Sequence, residues 1–300
     1  MTQFINAVFN GFSLTSIILL TSLGLAITFG LMRVINMAHG EFIMIGAYMT
    51  YVTQQLFVML MPKAIFSLYY IAAIVIAFAV TFALGSIMER FVVSRLYGRE
   101  IDSLLATAGI SLVLQQAVRS VFGAQGVNVT APSFLTGGFT LGGFTFSFNR
   151  LFIILLTACA LFSLWLILYR LNFGKQMRAV MQNRSMAQCL GINSRRIDNI
   201  TFSIGSGLAG LAGCSVALLG SIDSTLGQNY IVNSFMAVVL GGVGKLIGTV
   251  LGSIIIGFAG ISIESFTSSS IAKAAVLIII ILFLQKKPQG LFALRTRSLD

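Results

Sequence analysis

The chain is short of charge. Asp, Glu, Lys and Arg make up only 9% of its 300 residues, against about 25% in soluble domains. Eight acids and 19 bases cannot cover the surface of a soluble fold of this length, so an ordinary soluble enzyme is excluded. Disorder is excluded too, because 57% of the residues are hydrophobic and 25 are Phe. Three prolines and 30 scattered glycines rule out a collagen-like repeat. A single histidine, His39, argues against a metal site, which draws on several ligands. Three cysteines, two of them in apolar runs, do not make a disulfide framework. No Gly-Lys-Ser/Thr loop is present, so the chain carries no Walker-type nucleotide site, and no nucleophile motif accompanies His39. What remains is an integral membrane protein.

Apolar runs between the charges supply the spans. A helix needs about 20 apolar residues to cross the ~30 Å hydrocarbon core. Phe12–Met32, Phe42–Met61, Ala64–Met88, Ser103–Val118 with its flanks, Leu151–Tyr169, Ile200–Ser221, Leu246–Ile263 and Ser270–Gln285 meet that length. Strand-type alternation is missing, which argues against an outer-membrane barrel. The expected fold is therefore all-α: a polytopic inner-membrane bundle of about 8–9 spans in a single domain. Its first half covers residues 9–122, an outer loop 123–149, and a second half 150–288.

The net charge of +11 reads as membrane topology rather than nucleic-acid binding, because the bases fall between apolar runs. They form three groups: Arg90, Arg95 and Arg99; Arg170 through Arg196; and Lys286, Lys287, Arg295 and Arg297. The positive-inside rule puts all three in the cytoplasm with the carboxyl terminus. The uncharged loop 120–149 and the amino terminus then lie outside. That stretch has no positive n-region and reads as the first span rather than a signal peptide. Parity between the second basic group and the carboxyl terminus requires one more crossing, assigned to a broken helix over Ile231–Gly244.

Two interruptions stand out, one in each half: Arg33–Gly46 and Gly241–Gly248. Irregular backbone at membrane depth survives only beside protein or water, and paired breaks mark transporters built from repeats. The internal similarity is faint, limited to setting Gly40, Gly46 and Ala47 against Gly248, Gly252 and Gly257. On this reasoning the substrate path is expected along Asn36, His39, Glu41, Gln228, Asn229, Asn233, Gly241 and Gly242. Asn229 and Asn233 are i, i+4 and share a helix face. His39 and Glu41 are placed nearer the cytoplasm, as an inner gate. The competing reading makes them a solvated helix end at the interface.

Residues 174–191 read as one short amphipathic helix with Met177, Val180, Met181, Ala187 and Leu190 on a stripe, bases elsewhere, and Gly191 to end it. Such a helix either lies on anionic lipid or enters a groove on a cytoplasmic partner. The glycines of Ile204–Leu219 read as close helix packing. Gly137–Phe146 reads as a small outer hairpin, either a cap over the bundle or a surface that receives a partner.

Arg33-Val34-Ile35-Asn36-Met37-Ala38-His39-Gly40-Glu41-Phe42 with Gly46-Ala47-Tyr48, and Val239-Leu240-Gly241-Gly242-Val243-Gly244 with Gly248-Thr249, resemble two signatures of one family. That family is the permeases of branched-chain-amino-acid-type ABC importers, and the resemblance runs over nearly the whole chain. It implies a machine in parts: a periplasmic solute-binding protein, this permease beside a second and different one, and two cytoplasmic ATP-binding subunits. The chain itself would perform no chemistry and hold no cofactor, ATP being used by its partners. Residues 174–191 stand where the family has its ATPase-coupling helix, which assigns that contact to Met177, Arg178, Val180, Met181, Arg184, Leu190 and Gly191. Within the family, Asp102–Leu112, Val121–Gln125, Gln182–Arg184 and Gly227–Val232 look most like the urea-transporter permease. Urea is the first expected solute, and branched-chain amino acids are the alternative. A stand-alone secondary transporter would need intramembrane ionisable groups instead, and would leave the basic helix without a purpose.

Overall fold

The computed structural model describes residues 2–32, 34–60, 62, 66–141 and 144–292. Arg33, Gly142, Gly143, Arg295 and Arg297, all used above, lie outside the described residues. The order is α1 (Thr2–Met32), α2 (His39–Leu60), α3 (Tyr69–Phe91), α4 (Glu100–Phe122), β1 (Gly138–Leu141), β2 (Phe144–Ser147), α5 (Phe148–Tyr169), α6 (Asn172–Gln182), α7 (Arg184–Cys189), α8 (Ser194–Val216), α9 (Leu226–Gly241), α10 (Leu246–Glu264) and α11 (Ser269–Lys286). The chain is a polytopic helical membrane protein. Among the described residues seven helices are long and apolar enough to span: α1, α2, α3, α4, α5, α10 and α11.

α8 and α9 complete the bundle without passing that test, for two different reasons. α8 has 23 residues but is rich in Gly, Ser and Thr, because it is buried among α1, α2 and α3 on nearly every side. A helix that meets no lipid has no need of long apolar side chains. Its small residues instead admit neighbouring backbones: a methyl at Gly213 would overlap the Ile43 carbonyl. Many Ser and Thr hydroxyls inside the bundle are satisfied by carbonyls one turn back, as in Thr50 to Gly46 at 2.9 Å, Thr81 to Ala77 at 2.7 Å and Ser206 to Phe202 at 3.0 Å. α9 has only 16 residues, about 24 Å at 1.5 Å per residue. It is an unbroken helix to Gly241, and the break expected over Ile231–Gly244 falls at its end, in the Gly242–Gly244 turn. There Gly242 takes φ +100°, a left-handed backbone that glycine adopts without strain.

Two ends of the bundle are distinguishable. One carries the β-hairpin, whose Phe146 ring meets Phe9 of α1 at 5.1 Å. The other carries α6, α7 and the basic residues flanking α3, α5, α8 and α11.

α2 and α9 both begin in the middle of the bundle. The His39 ring sits 3.1 Å from the carbonyl of Thr21, half-way along α1. The Ser234 hydroxyl donates to the Thr21 hydroxyl at 2.6 Å. The N-termini of α2 and α9 meet directly, and a Cβ on Gly40 would stand 2.7 Å from the Gly227 carbonyl oxygen. The segments leading into the two helices repeat each other at one constant spacing. The Ala38 N–H donates to Asn36 Oδ1 at 3.0 Å, and the Thr225 N–H to Asp223 Oδ1 at 2.9 Å. The His39 N–H reaches the Asn36 carbonyl and the Leu226 N–H the Asp223 carbonyl, each at 3.3 Å. The next pair, Glu41 to Ala38 and Gln228 to Thr225, are both 3.0 Å. α3 packs on α8 as α10 packs on α1, and α2 packs on α3 as α9 packs on α10. The halves α1–α4 and α8–α11 are thus related by an internal pseudo-two-fold running between Gly40 and Gly227. The repeat pairs Gly40 with Gly227, not with Gly248 as the small-residue steps suggested. The counterpart of the first interruption is residues 217–225, not Gly241–Gly248.

Gly40→Val is expected to lower the melting temperature of the purified permease by several degrees, because overpacking a tight contact costs about 1–3 kcal/mol. Gly109→Ala, where an added Cβ meets nothing within 4 Å, should leave it unchanged. Equal melting temperatures for the two variants would remove the crossing from its central place.

Candidate functional site

The polar centre of the bundle is built on the first turn of α2. Asn36 is 2% exposed, His39 0% and Glu41 1%. Glu41 Oε1 accepts from the Ser111 hydroxyl at 2.8 Å and from Gln115 Nε2 at 2.7 Å, both on α4. Its position at a helix N-terminus sets the carboxylate against the positive end of the helix dipole. Glu41 Oε2, Asn36 Nδ2, His39 Nδ1 and the Tyr48 hydroxyl are buried and find no hydrogen-bond partner among the described residues. His39 and Glu41, the two residues expected as an inner gate near the basic end, therefore sit at mid-depth, closed within the protein. Neither the gate position nor a solvated helix end describes them. Thr107 of α4 braces the lead-in strand, accepting from the Met37 N–H at 3.1 Å. Gln115 was among the amides the sequence offered to a solute path; Ser111 was missed, although its i, i+4 spacing from Gln115 on a largely apolar span was a usable signal.

The α9 residues present a different surface. Gln228 and Asn229 are exposed and Asn233 is half-buried. Neither cavity described below includes them. Beside them Arg119 of α4 donates to the Ser224 hydroxyl at 3.3 Å. A polar helix face at the middle of a bilayer must meet protein or water rather than lipid. Gly241 and Gly242 do not share that face. A side chain on Gly241 would overlap the Gly248 carbonyl of α10, and one on Gly242 would stand 2.5 Å from the Phe292 carbonyl oxygen. The Leu291 N–H also bonds the Leu240 carbonyl at 2.8 Å. These glycines pack the chain on itself, which corrects their placement on the path.

At the opposite end, the expected single helix over 174–191 is two helices with a kink at Asn183, whose side chain caps α7 by accepting from the Met186 N–H at 3.0 Å. Met177, Val180 and Ala187 point inward and join Leu20, Leu23 and Ile197 in one apolar cluster. Met181 is half-buried. Outward-facing roles for Met177 and Val180 are therefore corrected. The apolar side chains left outside are Met186, 60% exposed, and Leu190, 75% exposed. Gly191, at φ +81°, ends the segment as expected. Arg178 donates to the Leu168 carbonyl and stacks on the Tyr169 ring at 5.4 Å, so it fixes α6 to α5 rather than facing outward.

Arg184 anchors a polar chain that crosses three elements. Its guanidinium pairs with Asp198 of α8 at 2.5 Å and covers the Tyr97 ring at 4.9 Å. The Tyr97 hydroxyl donates to Glu89 Oε1 at 2.9 Å, and Asn199 Nδ2 donates to Glu89 Oε2 at 2.7 Å. Asn199 closes the chain with Ser86, accepting from its hydroxyl at 2.8 Å. Burial, followed by the charges of Asp198 and Glu89, pushes the Tyr97 hydroxyl pKa up, so Tyr97 stays a donor.

Two cavities flank these sites. One of about 240 Å³ lies at the basic end, between Met32, Tyr97, Gln182, Arg184 and Asp198. The other, an open groove of about 610 Å³, lies at the hairpin end against Asn10, Leu14, Arg150, Leu219, Ile261 and Glu264.

The family described as branched-chain amino acid transport system / permease component matches residues 7–285. A relative from Pseudomonas aeruginosa, the high-affinity branched-chain amino acid transport system permease protein BraD, is 30% identical over 96% of this chain and 95% of its own length. LivH of Escherichia coli K12, of the same description, is 29% identical over 96% and 95%. The ribose import permease protein RbsC of Escherichia coli K12 is 34% identical over 41% of this chain and 42% of its own length. No solved structure gives a significant match. A family match spanning nearly every membrane helix, joined to a polytopic bundle, settles the class: the chain belongs to the family of permease components of branched-chain amino acid transport systems.

Proposed function

We propose that this chain is one permease of an ATP-driven importer and that its solutes are branched-chain aliphatic amino acids. The observation that carries the reading is the end-to-end likeness to BraD, which covers 96% of the chain. Urea, the solute first expected from four short stretches, has no comparable support. The basic end with α6 and α7 faces the cytoplasm, which puts the amino terminus and the hairpin outside. A solute-binding protein docks at the outer segment 123–149, and two ATP-binding subunits work from the inside. The polar face of Gln228, Asn229 and Asn233 lies against a second permease. Between the two runs the water-lined path.

Met186 and Leu190 supply the apolar contact that enters the ATP-binding subunit, and Arg184 carries its movement to α8 and, through Tyr97 and Glu89, to α3. Uptake of labelled L-leucine and urea by the complex reconstituted with its binding protein tests the substrate. Leucine uptake with no urea uptake is expected, and the reverse would restore urea.

Three substitutions separate docking from folding. Leu190→Asp should leave the permease folded while the ATP-binding subunits no longer co-purify, since an aspartate in an apolar groove is left unpaired. Val180→Asp should reduce the yield of folded permease itself, because Val180 is only 8% exposed. Tyr97→Phe should keep the complex intact but raise the ATP hydrolysed per leucine imported. A ratio equal to that of the unaltered complex would confine Tyr97 to a structural role.

A further inference from the structure

The groove at the hairpin end carries one guanidinium and one carboxylate that do not pair with each other. Arg150 stands in the first turn of α5, and Glu264 is the last residue of α10. Arg150 donates to Asn10 Oδ1 on α1. Among the described residues the only ion pairs are Arg99 with Asp102 and Arg184 with Asp198. The backbone strengthens both charges. The α5 N-terminus has no side-chain cap, since Ser147 bonds none of its N–H groups, so its positive dipole end adds to Arg150. The carbonyl end of α10 adds to Glu264 in the same way. Leu14, Leu219 and Ile261 line the groove beside the two charges.

We infer that this groove is an outer receiving site for a zwitterion with an apolar body, and specifically for an α-amino acid with a branched aliphatic side chain. The carboxylate meets Arg150 and the end of α5, the ammonium meets Glu264 and the end of α10, and the side chain lies on the leucine and isoleucine wall. A volume of about 610 Å³ is in the range of small-molecule sites. A neutral amide such as urea engages neither helix end as an ion and has nothing to place on the apolar wall. The inference rests on the import reading above and gives its solute a place on the permease. Phosphatidylethanolamine offers the same pair of charges from the membrane, so the test must distinguish free solute from lipid.

The permease–ATPase complex is placed in nanodiscs of phosphatidylcholine and phosphatidylglycerol, without binding protein. Saturation-transfer NMR is then recorded with L-leucine, leucinamide, 4-methylpentanoate and urea. L-Leucine should give a signal. Leucinamide lacks the carboxylate and 4-methylpentanoate the ammonium, and each should bind about tenfold more weakly, as expected for the loss of one charge-assisted contact. Arg150→Gln and Glu264→Gln should each weaken leucine by a similar factor, and Arg150→Lys should retain it. Urea should give no signal. Leucine signals from the Gln variants equal to that of the unaltered complex, signals from the two truncated ligands equal to that of L-leucine, or competition by urea would overturn the inference. So would a leucine signal abolished by phosphatidylethanolamine in the discs, which would make the groove a headgroup site. Leucine uptake by the unaltered complex tests the import reading separately. If uptake persists while the Gln variants bind leucine normally, only the groove assignment falls.

Discussion

Two helix N-termini meeting in the middle of the bundle set the terms for everything around them. A helix that starts at mid-depth must be reached by a non-helical segment, and that backbone has to be satisfied inside protein. The chain does this twice with the same device. Asn36 and Asp223 each fold their side chain onto the N–H two residues on, and Gly40 and Gly227 let the helix starts touch. Thr107 closes the first segment, and the Val127–Ile222 bridge, with N···O distances of 2.8 and 2.9 Å, closes the second. α8 and α1 then become the wall against which both returns are packed, which is why α8 is rich in small residues.

The seven long apolar helices were legible because lipid imposes a composition as well as a length. α8 was legible by its length and glycines, but α9 only through charge parity and with its start misplaced, since a short helix starting inside protein needs neither 20 residues nor uniform apolarity. The pseudo-two-fold was hidden for a related reason. What it conserves is geometry: a turn-forming Asx residue, a glycine, and a polar residue after it. Asn36, Gly40 and Glu41 answer to Asp223, Gly227 and Gln228, while the residues between them differ. A comparison keyed to small residues alone slides past that register onto Gly248.

At the candidate sites, residue type was a better guide than depth. His39 and Glu41 stood out in the sequence as unusual for a membrane interior, yet a linear reading put them near the cytoplasmic face, whereas the helix they begin starts deep inside the bundle. On α6 the helical stripe was real, but a stripe does not say which side it faces. Met177 and Val180 serve the permease's own core, and the outward apolar pair, Met186 and Leu190, belongs to the next helix after the kink at Asn183. The Arg184–Asp198 contact needed the fold, because nothing in the spacing of Arg184, Tyr97 and Glu89 announces a common neighbourhood.

The bridge between Val127 and Ile222 has a mechanical meaning. It joins the segment between α4 and β1, through one pair of peptide hydrogen bonds, to a segment that reaches the α9 N-terminus only a few residues later. That lever is short and stiff, with Asp223 folded tightly onto Thr225. A load applied to the loop therefore arrives at Gly227 as displacement instead of being absorbed as slack. Because Gly227 rests against Gly40, such a load passes from the second half of the molecule to the first where the two helix starts cross.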